Sequence, residues 1–423
     1  MIVILGAGIS GISAAYHLDL KGLKSEVYEK NDSWGGLCDN FEKDGFRFDY
    51  AIHLSFTKNE YVKNLFANSA NHLIHTPEIG NYYKGCWLKH PAQNNLYPLP
   101  VDEKVKVIKD FINADKTMHI ENYEAWLRSQ YGKFFAENFP LRYTRKYWTV
   151  EAKKLTTNWI GNRMYRPDLE EVLRGAMTGD TPNTYYAQEM RYPVCGGFKA
   201  FLSGMVGTCD IRLRKKAISI DTKKKKVEFA DGTHAHYERL VSSIPLPELI
   251  DIIKDSTEYI REAAKKLAWT SVALISLGFN RPDIPQYLWF YIYDEEIFPA
   301  RAYSPSKKSK NNVPEGYSSL QFEIYYSKYG KLRLPNHNLV EHIIKKSAEM
   351  GIFDKKDIVF EDYRIIKYAN VIFNENIDKM RDAVLDYLKQ KEIIPVGRFG
   401  EWDYYWSDQS LLSGKKISEM EKV

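Results

Sequence analysis

The chain has 423 residues, 44% of them apolar and 27% charged, a globular balance that excludes a disordered chain and exceeds what one hydrophobic core usually serves. Sixty Lys and Arg against 55 Asp and Glu leave a net charge of +5, too weak on a chain this long to point to nucleic acid. The cysteines (Cys38, Cys86, Cys195, Cys209) form no CxxC pair and no run reaches membrane-spanning length, so no metal site and no integral membrane segment are expected, and the location expected is cytoplasmic.

Ile2-Val3-Ile4-Leu5 is a short apolar run of the kind that forms a buried parallel strand. Gly6-Ala7-Gly8-Ile9-Ser10-Gly11 follows at once. Ile12 to Leu20 reads as a helix closed by Lys21-Gly22, and Ser25 to Tyr28 as a second strand ending at Glu29. This is a complete βαβ unit with GxGxxG spacing. The first glycine permits a tight turn, the second lets backbone approach a pyrophosphate, and the third lets helix and strand pack closely. The helix N-terminus presents unpaired N–H groups and a positive dipole end to the phosphates. The Glu29 carboxylate can accept ribose hydroxyls, so a dinucleotide is the expected ligand. Trp34-Gly35-Gly36-Leu37 adds a second glycine pair, which lets another loop approach that dinucleotide.

From Lys84 to Met190, Val101–Ala114, Asn122–Phe139 and Thr156–Met177 show helical periodicity. Strands return at Ile211–Leu213, Ala217–Ile220, Val227–Phe229 and Leu240–Ile244. The basic run Lys223–Lys226 lies between two of these and ahead of Asp231-Gly232, which reads as a solvated hairpin. Further strands are expected at Ser271–Gly278, Tyr287–Tyr293 and Ser318–Tyr326. Helices follow at Asn338–Met350 and Asn376–Lys389, then a strand at Ile393–Val396, a glycine-containing loop and a last helix. Nucleotide-binding signals therefore stand at the start, middle and end of the chain. The 30 Tyr, 20 Phe and 9 Trp suit a pocket for a sugar, a base or another ring.

Several stretches carry a resemblance. They are Asn95-Leu96-Tyr97-Pro98-Leu99-Pro100, Tyr143-Thr144-Arg145-Lys146-Tyr147-Trp148, Asn158-Trp159-Ile160-Gly161-Asn162-Arg163, Tyr192 to Phe198, Phe298-Pro299-Ala300-Arg301 and Gly397-Arg398-Phe399-Gly400-Glu401-Trp402-Asp403-Tyr404. In this order the chain resembles UDP-galactopyranose mutase and its protoporphyrinogen-oxidase-like relatives in the FAD-dependent amine-oxidase superfamily, over nearly its whole length. Gly35-Gly36 resembles the two-glycine extension of glutathione-reductase-like FAD proteins.

The resemblance implies an α/β fold. A glutathione-reductase-like, FAD-binding Rossmann-like domain is expected from the discontinuous segments 1–83, 191–245 and 390–423. A helical insertion is expected at 84–190 and a mixed-sheet substrate domain at 246–389. FAD is the implied cofactor, held by Gly6, Gly8, Ile9, Ser10, Gly11, Glu29, Lys30, Gly35, Gly36, Leu37, His53, Ser243, Gly397, Arg398, Asp408, Gln409 and Ser410. Arg163 and Arg301 stand where the family places diphosphate-binding arginines, and Tyr368 and Tyr404 match its diphosphate-binding tyrosines. His53, Arg163 and Arg301 are the implied catalytic set. The implied activity is isomerisation of a nucleotide sugar on reduced FAD, in cell-surface polysaccharide synthesis. An FAD-dependent oxidoreductase of the amine-oxidase or protoporphyrinogen-oxidase type is the alternative, and a non-catalytic flavin-binding protein is the other. Two departures bear on the choice. Ala51-Ile52 precede His53 where relatives carry two glycines, and Ala369-Asn370 follow Tyr368 where relatives commonly have proline.

Overall fold

The computed structural model describes residues 1–420 except Pro77, Asn162, Asn183, Tyr185 and Tyr186. Asn162, part of the stretch that ends at Arg163, therefore lies outside the described residues. The wholly buried run Ile2–Leu5 is the centre of a five-stranded sheet. The order is Ile393–Pro395, Arg239–Ser242, Ile2–Leu5, Ser25–Tyr28, Asp210–Arg212, and every pairing is parallel. Three distant stretches of sequence thus make one sheet. The helices Ile9–Asp19 and Ser407–Met420 pack along each other on it, and the Ser13 hydroxyl donates to the Leu411 carbonyl at 2.7 Å. A Cβ at Gly414 would stand 2.1 Å from the Ser10 carbonyl oxygen, so only glycine permits this approach. The basic run falls at the turn joining the antiparallel strands Ala217–Asp221 and Lys226–Phe229.

The second sheet has seven strands, ordered Ile358–Val371, Trp269–Phe279, Ser318–Tyr326, Arg301–Tyr303, Trp289–Ile292, Ile79–Tyr83, Cys86–Lys89. Ile79–Tyr83 runs parallel to Trp289–Ile292, so these residues belong to the large sheet and not to the first cofactor-domain segment expected to reach residue 83. The longest strand, Ile358–Val371, lies where no element was expected.

The insertion between the sheets is helical, with two corrections. Asn122–Phe139 is not one helix: Tyr123–Tyr131 and Lys133–Asn138 meet at Gly132, whose φ of 76° breaks the run. A Cβ there would meet the Asp110 carbonyl carbon at 2.4 Å, so the glycine is needed for contact with the preceding helix. Thr156–Met177 is helical only over Leu169–Met177, which begins at a capping box between Asp168 and Glu171. Pro167 excludes helical backbone just before it. A further helix, Pro140–Tyr147, starts on the proline. Among the described residues no helix is long and apolar enough to cross a membrane, and no group of three or more His, Cys, Asp or Glu could hold a metal.

Beside the seven-stranded sheet, Lys308 and Asp49 form an ion pair with both side chains 0% exposed. Asp49 also accepts from the Tyr192 hydroxyl at 2.7 Å and the Phe198 N–H at 3.0 Å. The ammonium lies 4.4 Å and 4.5 Å from the Tyr192 and Tyr303 ring centres. Burial pulls the Lys308 pKa down, against the attraction of Asp49. Removing one partner leaves a buried charge uncompensated, which typically costs about 3–5 kcal/mol. Lys308→Ala is expected to lower the unfolding free energy by about that amount in urea titrations. A loss under about 1 kcal/mol would show that the pair is dispensable.

Candidate active site

The cofactor cradle is built by backbone approaching backbone. A Cβ on Gly11 would lie 1.9 Å from the Gly6 carbonyl oxygen, and one on Gly36 3.0 Å from the Gly8 Cα. The Gly35 N–H donates to the Ala7 carbonyl at 2.8 Å, which pins the second glycine loop to the first. Gly397 has φ 78°, and its missing Cβ would meet the Ser10 hydroxyl at 2.1 Å. The helix Ile9–Asp19 has no side-chain cap and no acidic residue in its first turn, so its leading N–H groups are left to an anion. Glu29, 5% exposed, accepts from the Ala7 and Asn31 N–H groups at 2.9 Å each. A carboxylate offers about four acceptor positions, so two are left toward the cleft. These residues fit a dinucleotide.

A cleft of about 1410 Å³ runs from this cradle to the large sheet. Drug-sized ligands occupy roughly 300–1,000 Å³, so this volume holds a dinucleotide and a second ligand together. Of the residues expected at the cofactor, Gly6, Gly8, Ile9, Ser10, Glu29, Lys30, Gly35, Gly36, Leu37, His53, Ser243, Gly397, Arg398 and Ser410 line it. Gly11 acts from behind, through helix packing. Asp408 and Gln409 do not line the cleft. Gln409 is exposed, and its side-chain oxygen accepts from the Trp406 N–H at 2.9 Å.

At the far end lies a chain of stacked groups. The Arg163 guanidinium lies 4.6 Å from the ring centres of both Tyr404 and Trp406. It donates to the carbonyls of Trp159 at 2.9 Å and Tyr404 at 2.6 Å, and its buried Nε has no partner. The Tyr404 and Tyr147 hydroxyls are 3.1 Å apart, and Tyr147 also donates to Asn370 at 3.2 Å. The Arg301 guanidinium lies 5.5 Å from the Tyr147 ring centre. Arg163, Tyr404, Tyr147 and Arg301 are thus contiguous. Arg398 is held by the Tyr405 carbonyl at 2.7 Å and the Ala369 carbonyl at 3.1 Å. Burial pushes the Tyr404 pKa upward, so its hydroxyl stays a neutral donor.

Tyr368 is placed differently from Tyr404. Its ring packs on Trp269 and Phe399, and its hydroxyl faces the Glu248 carboxylate. Tyr368 lines the cleft as Tyr404 does, but its hydroxyl is engaged by a carboxylate and that of Tyr404 by the Tyr147 hydroxyl. The strand Ile358–Val371 is irregular between Ile366 and Asn370, where its register against Trp269–Phe279 shifts, and Asn370 accepts from Tyr147.

Ala51 keeps the left-handed conformation that a glycine would take, with φ 69°. For an L-residue this costs roughly 1–2 kcal/mol. The Ile52 N–H donates to Glu323 at 2.8 Å, and His53 Nδ1 lies 3.1 Å from the Ala51 carbonyl. Ala51, Ile52 and His53 all line the cleft. Burial brings the His53 imidazole down to about 4, with Asp49 opposing. Glu323 escaped the sequence reading, and Tyr147 and Asn370 were noted there without a role of their own. The available signal for Glu323 was polar Gln321 and Glu323 alternating with Leu320, Phe322 and Ile324 in a strand buried on both faces.

Two outcomes are expected. Gly36→Ala, which forces a side chain onto φ 59° and against Gly8, is expected to lower FAD retention at least tenfold, read from the 450-to-280 nm absorbance ratio. His53 is expected to stay neutral from pH 8 down through 6.5 and to titrate only at about 4, because burial disfavours its charged form. Its contribution to stability is therefore present above pH 6.5 and is lost as pH falls toward 4. Carbon-edited NMR of the ring would show an inflection near pH 6.5 if this assignment is wrong.

Residues 4–69 match the family described as an NAD(P)-binding Rossmann-like domain. A crystal structure of reduced UDP-galactopyranose mutase superposes with a TM-score of 0.93 at 26% identity, covering 99% of this chain and 93% of that one. A protoporphyrinogen oxidase-type protein from Exiguobacterium sp. 255-15 superposes at 0.76 with 14% identity, covering 99% of this chain and 97% of that one, a likeness of fold alone. The phytoene desaturase of Fusarium fujikuroi is 24% identical over 382 residues, 75% of this chain, and the chain spans 65% of that enzyme's length. The three-glycine cradle, the split parallel sheet and these matches give the chain a Rossmann-like dinucleotide-binding domain suited to FAD within the fold of UDP-galactopyranose mutase, and make it similar to the FAD-dependent amine-oxidase-like flavoenzymes.

Proposed function

We propose that this flavoenzyme acts on a nucleotide sugar and rearranges its sugar ring with no net oxidation, supplying a precursor of cell-surface polysaccharide. The observation that carries the reading is the run Arg163–Tyr404–Tyr147–Arg301 beside the cofactor cradle. A guanidinium tied only to carbonyls keeps its full charge, and the unpartnered Nε of Arg163 is a donor awaiting an acceptor. Arg pairs with phosphate oxygens through parallel N–H groups, so a pyrophosphate suits this end of the cleft. The aromatic wall of Phe139, Tyr143 and Tyr291 gives flat area for a base or sugar. Reduced FAD supplies the nucleophilic chemistry, while the chain binds the pyrophosphate, orients the sugar and excludes water.

Two observations favour a second reading, FAD-dependent dehydrogenation of an apolar substrate. One is side chains at Ala51 and Ile52, where relatives have bare backbone. The other is the similarity to a phytoene desaturase. Buried arginines oppose an apolar occupant.

Dithionite reduction of the FAD-loaded protein, addition of UDP-galactopyranose and chromatography separate the two. UDP-galactofuranose is the expected product. No change in any nucleotide sugar, together with bleaching of oxidised flavin by a reduced substrate, would establish the second reading. Arg163→Ala and Arg301→Ala are each expected to weaken UDP binding at least tenfold, about 1.4 kcal/mol, by calorimetry. Unchanged affinity would remove the pyrophosphate assignment.

A further inference from the structure

Glu323 lies in the middle of the strand Ser318–Tyr326, directly across from Arg301 on its antiparallel neighbour, and its side chain is 0% exposed. Its two oxygens have separate occupations. Oε2 is paired with the Arg301 Nε and accepts the Tyr325 hydroxyl at 2.6 Å. Oε1 accepts the Ile52 N–H at 2.8 Å. Tyr325 in turn accepts from the second arm of Arg301 at 3.2 Å, so the guanidinium is gripped at two points. Ile52 lies between Ala51, with its left-handed backbone, and His53. One carboxylate therefore holds both the arginine assigned to the pyrophosphate and the cleft-lining loop at the cofactor side.

We propose that Glu323 is a positioning residue that fixes the aim of Arg301 and the pitch of the Ala51–His53 loop together, so that the anion site and the flavin-facing loop are set by one side chain. The part concerning Arg301 rests on the nucleotide-sugar reading; the part concerning the loop does not. An arginine side chain is rich in rotamers, so one released from its carboxylate spreads over many orientations. An Ile52 N–H without its acceptor loses the bond that holds a strained loop in place.

The two halves can be separated by chemistry. In Glu323→Gln the amide oxygen still accepts from Ile52, and the amide nitrogen can donate to the Tyr325 oxygen. No charge is left for Arg301. In Glu323→Ala both functions are lost. With FAD-loaded protein, two quantities are read: UDP affinity by calorimetry, and the visible circular dichroism and midpoint potential of the flavin without UDP. Glu323→Gln is expected to weaken UDP binding at least fivefold and to keep the wild-type flavin signature. Glu323→Ala is expected to weaken UDP binding and also to shift the flavin signature. Arg301→Ala is expected to weaken UDP binding only.

Tighter UDP binding in Glu323→Gln would overturn the proposal, because Glu323 would then be restraining the charge of Arg301 rather than aiming it. A lowered melting temperature in Glu323→Ala with both readouts at wild-type values would overturn it too, as the mark of a purely structural residue. If Glu323→Ala does not fold, the outcome for Glu323→Gln decides. If Arg301→Ala leaves UDP affinity unchanged, the nucleotide-sugar reading fails by itself, and the flavin signature of Glu323→Ala still tests the loop half.

Discussion

At the N-terminal end of the helix Ile9–Asp19, distant stretches of chain approach one another more closely than side chains allow. The turn from Gly6 to Gly11, the loop at Gly35 and Gly36, and the turn at Gly397 surround the same few backbone groups, while Gly414 brings the last helix against Ser10. Each contact excludes a Cβ, so the backbones close on one another around the free end of the helix. The rest of the molecule follows from holding that end open. The five-stranded sheet fixes the three strand ends that carry the loops, and the C-terminal helix closes the back. The seven-stranded sheet and helical insertion then wall off a second compartment at the other end of the cleft.

The two compartments use charge in opposite ways. Around the cradle, the groups offered to an anion are backbone N–H groups and a helix end, with the Glu29 carboxylate beside them. At the far end they are guanidinium groups. There the protein distinguishes between cations it neutralises and cations it does not. Arg301 is matched by Glu323, while Arg163 and Arg398 are anchored by carbonyl dipoles, which orient a guanidinium without cancelling its charge. His53, held neutral by burial, adds no charge to the flavin-facing loop near physiological pH.

How much of this was legible in the sequence follows from the range of each interaction. The glycine cradle was legible because its constraint is local: spacing within Gly6–Gly11 and the pair Gly35-Gly36 expresses a rule about backbone approach. The strands Ser25–Tyr28 and Ser318–Tyr326 were legible from their composition. Arg163 and Arg301 were placed by resemblance, and both line the cleft. Glu323 was not legible, because its significance lies in Ile52, far away in sequence, and in a cross-strand partner that only sheet register supplies. The surroundings of Tyr368 were not legible for a related reason. The strand Ile358–Val371 was unrecognised, so the register irregularity at which Tyr368 meets Glu248 and Asn370 meets Tyr147 was hidden. The break at Gly132 was missed because a lone glycine inside a helical pattern is ambiguous until its neighbour across the bundle is known.

The contact at Gly414 has a consequence in time as well as in space. The turn at Gly397 and the helix Ser407–Met420 complete a cradle begun at residues 6–11, and nearly four hundred residues are synthesised between them. A growing chain has its first glycine turn within its opening residues, yet lacks the helix that closes it until translation has passed Gly414. The cradle is therefore complete only once the last helix has docked, and a chain interrupted before Gly397 would leave uncovered the helix face at Ser10, Ser13 and Ala14.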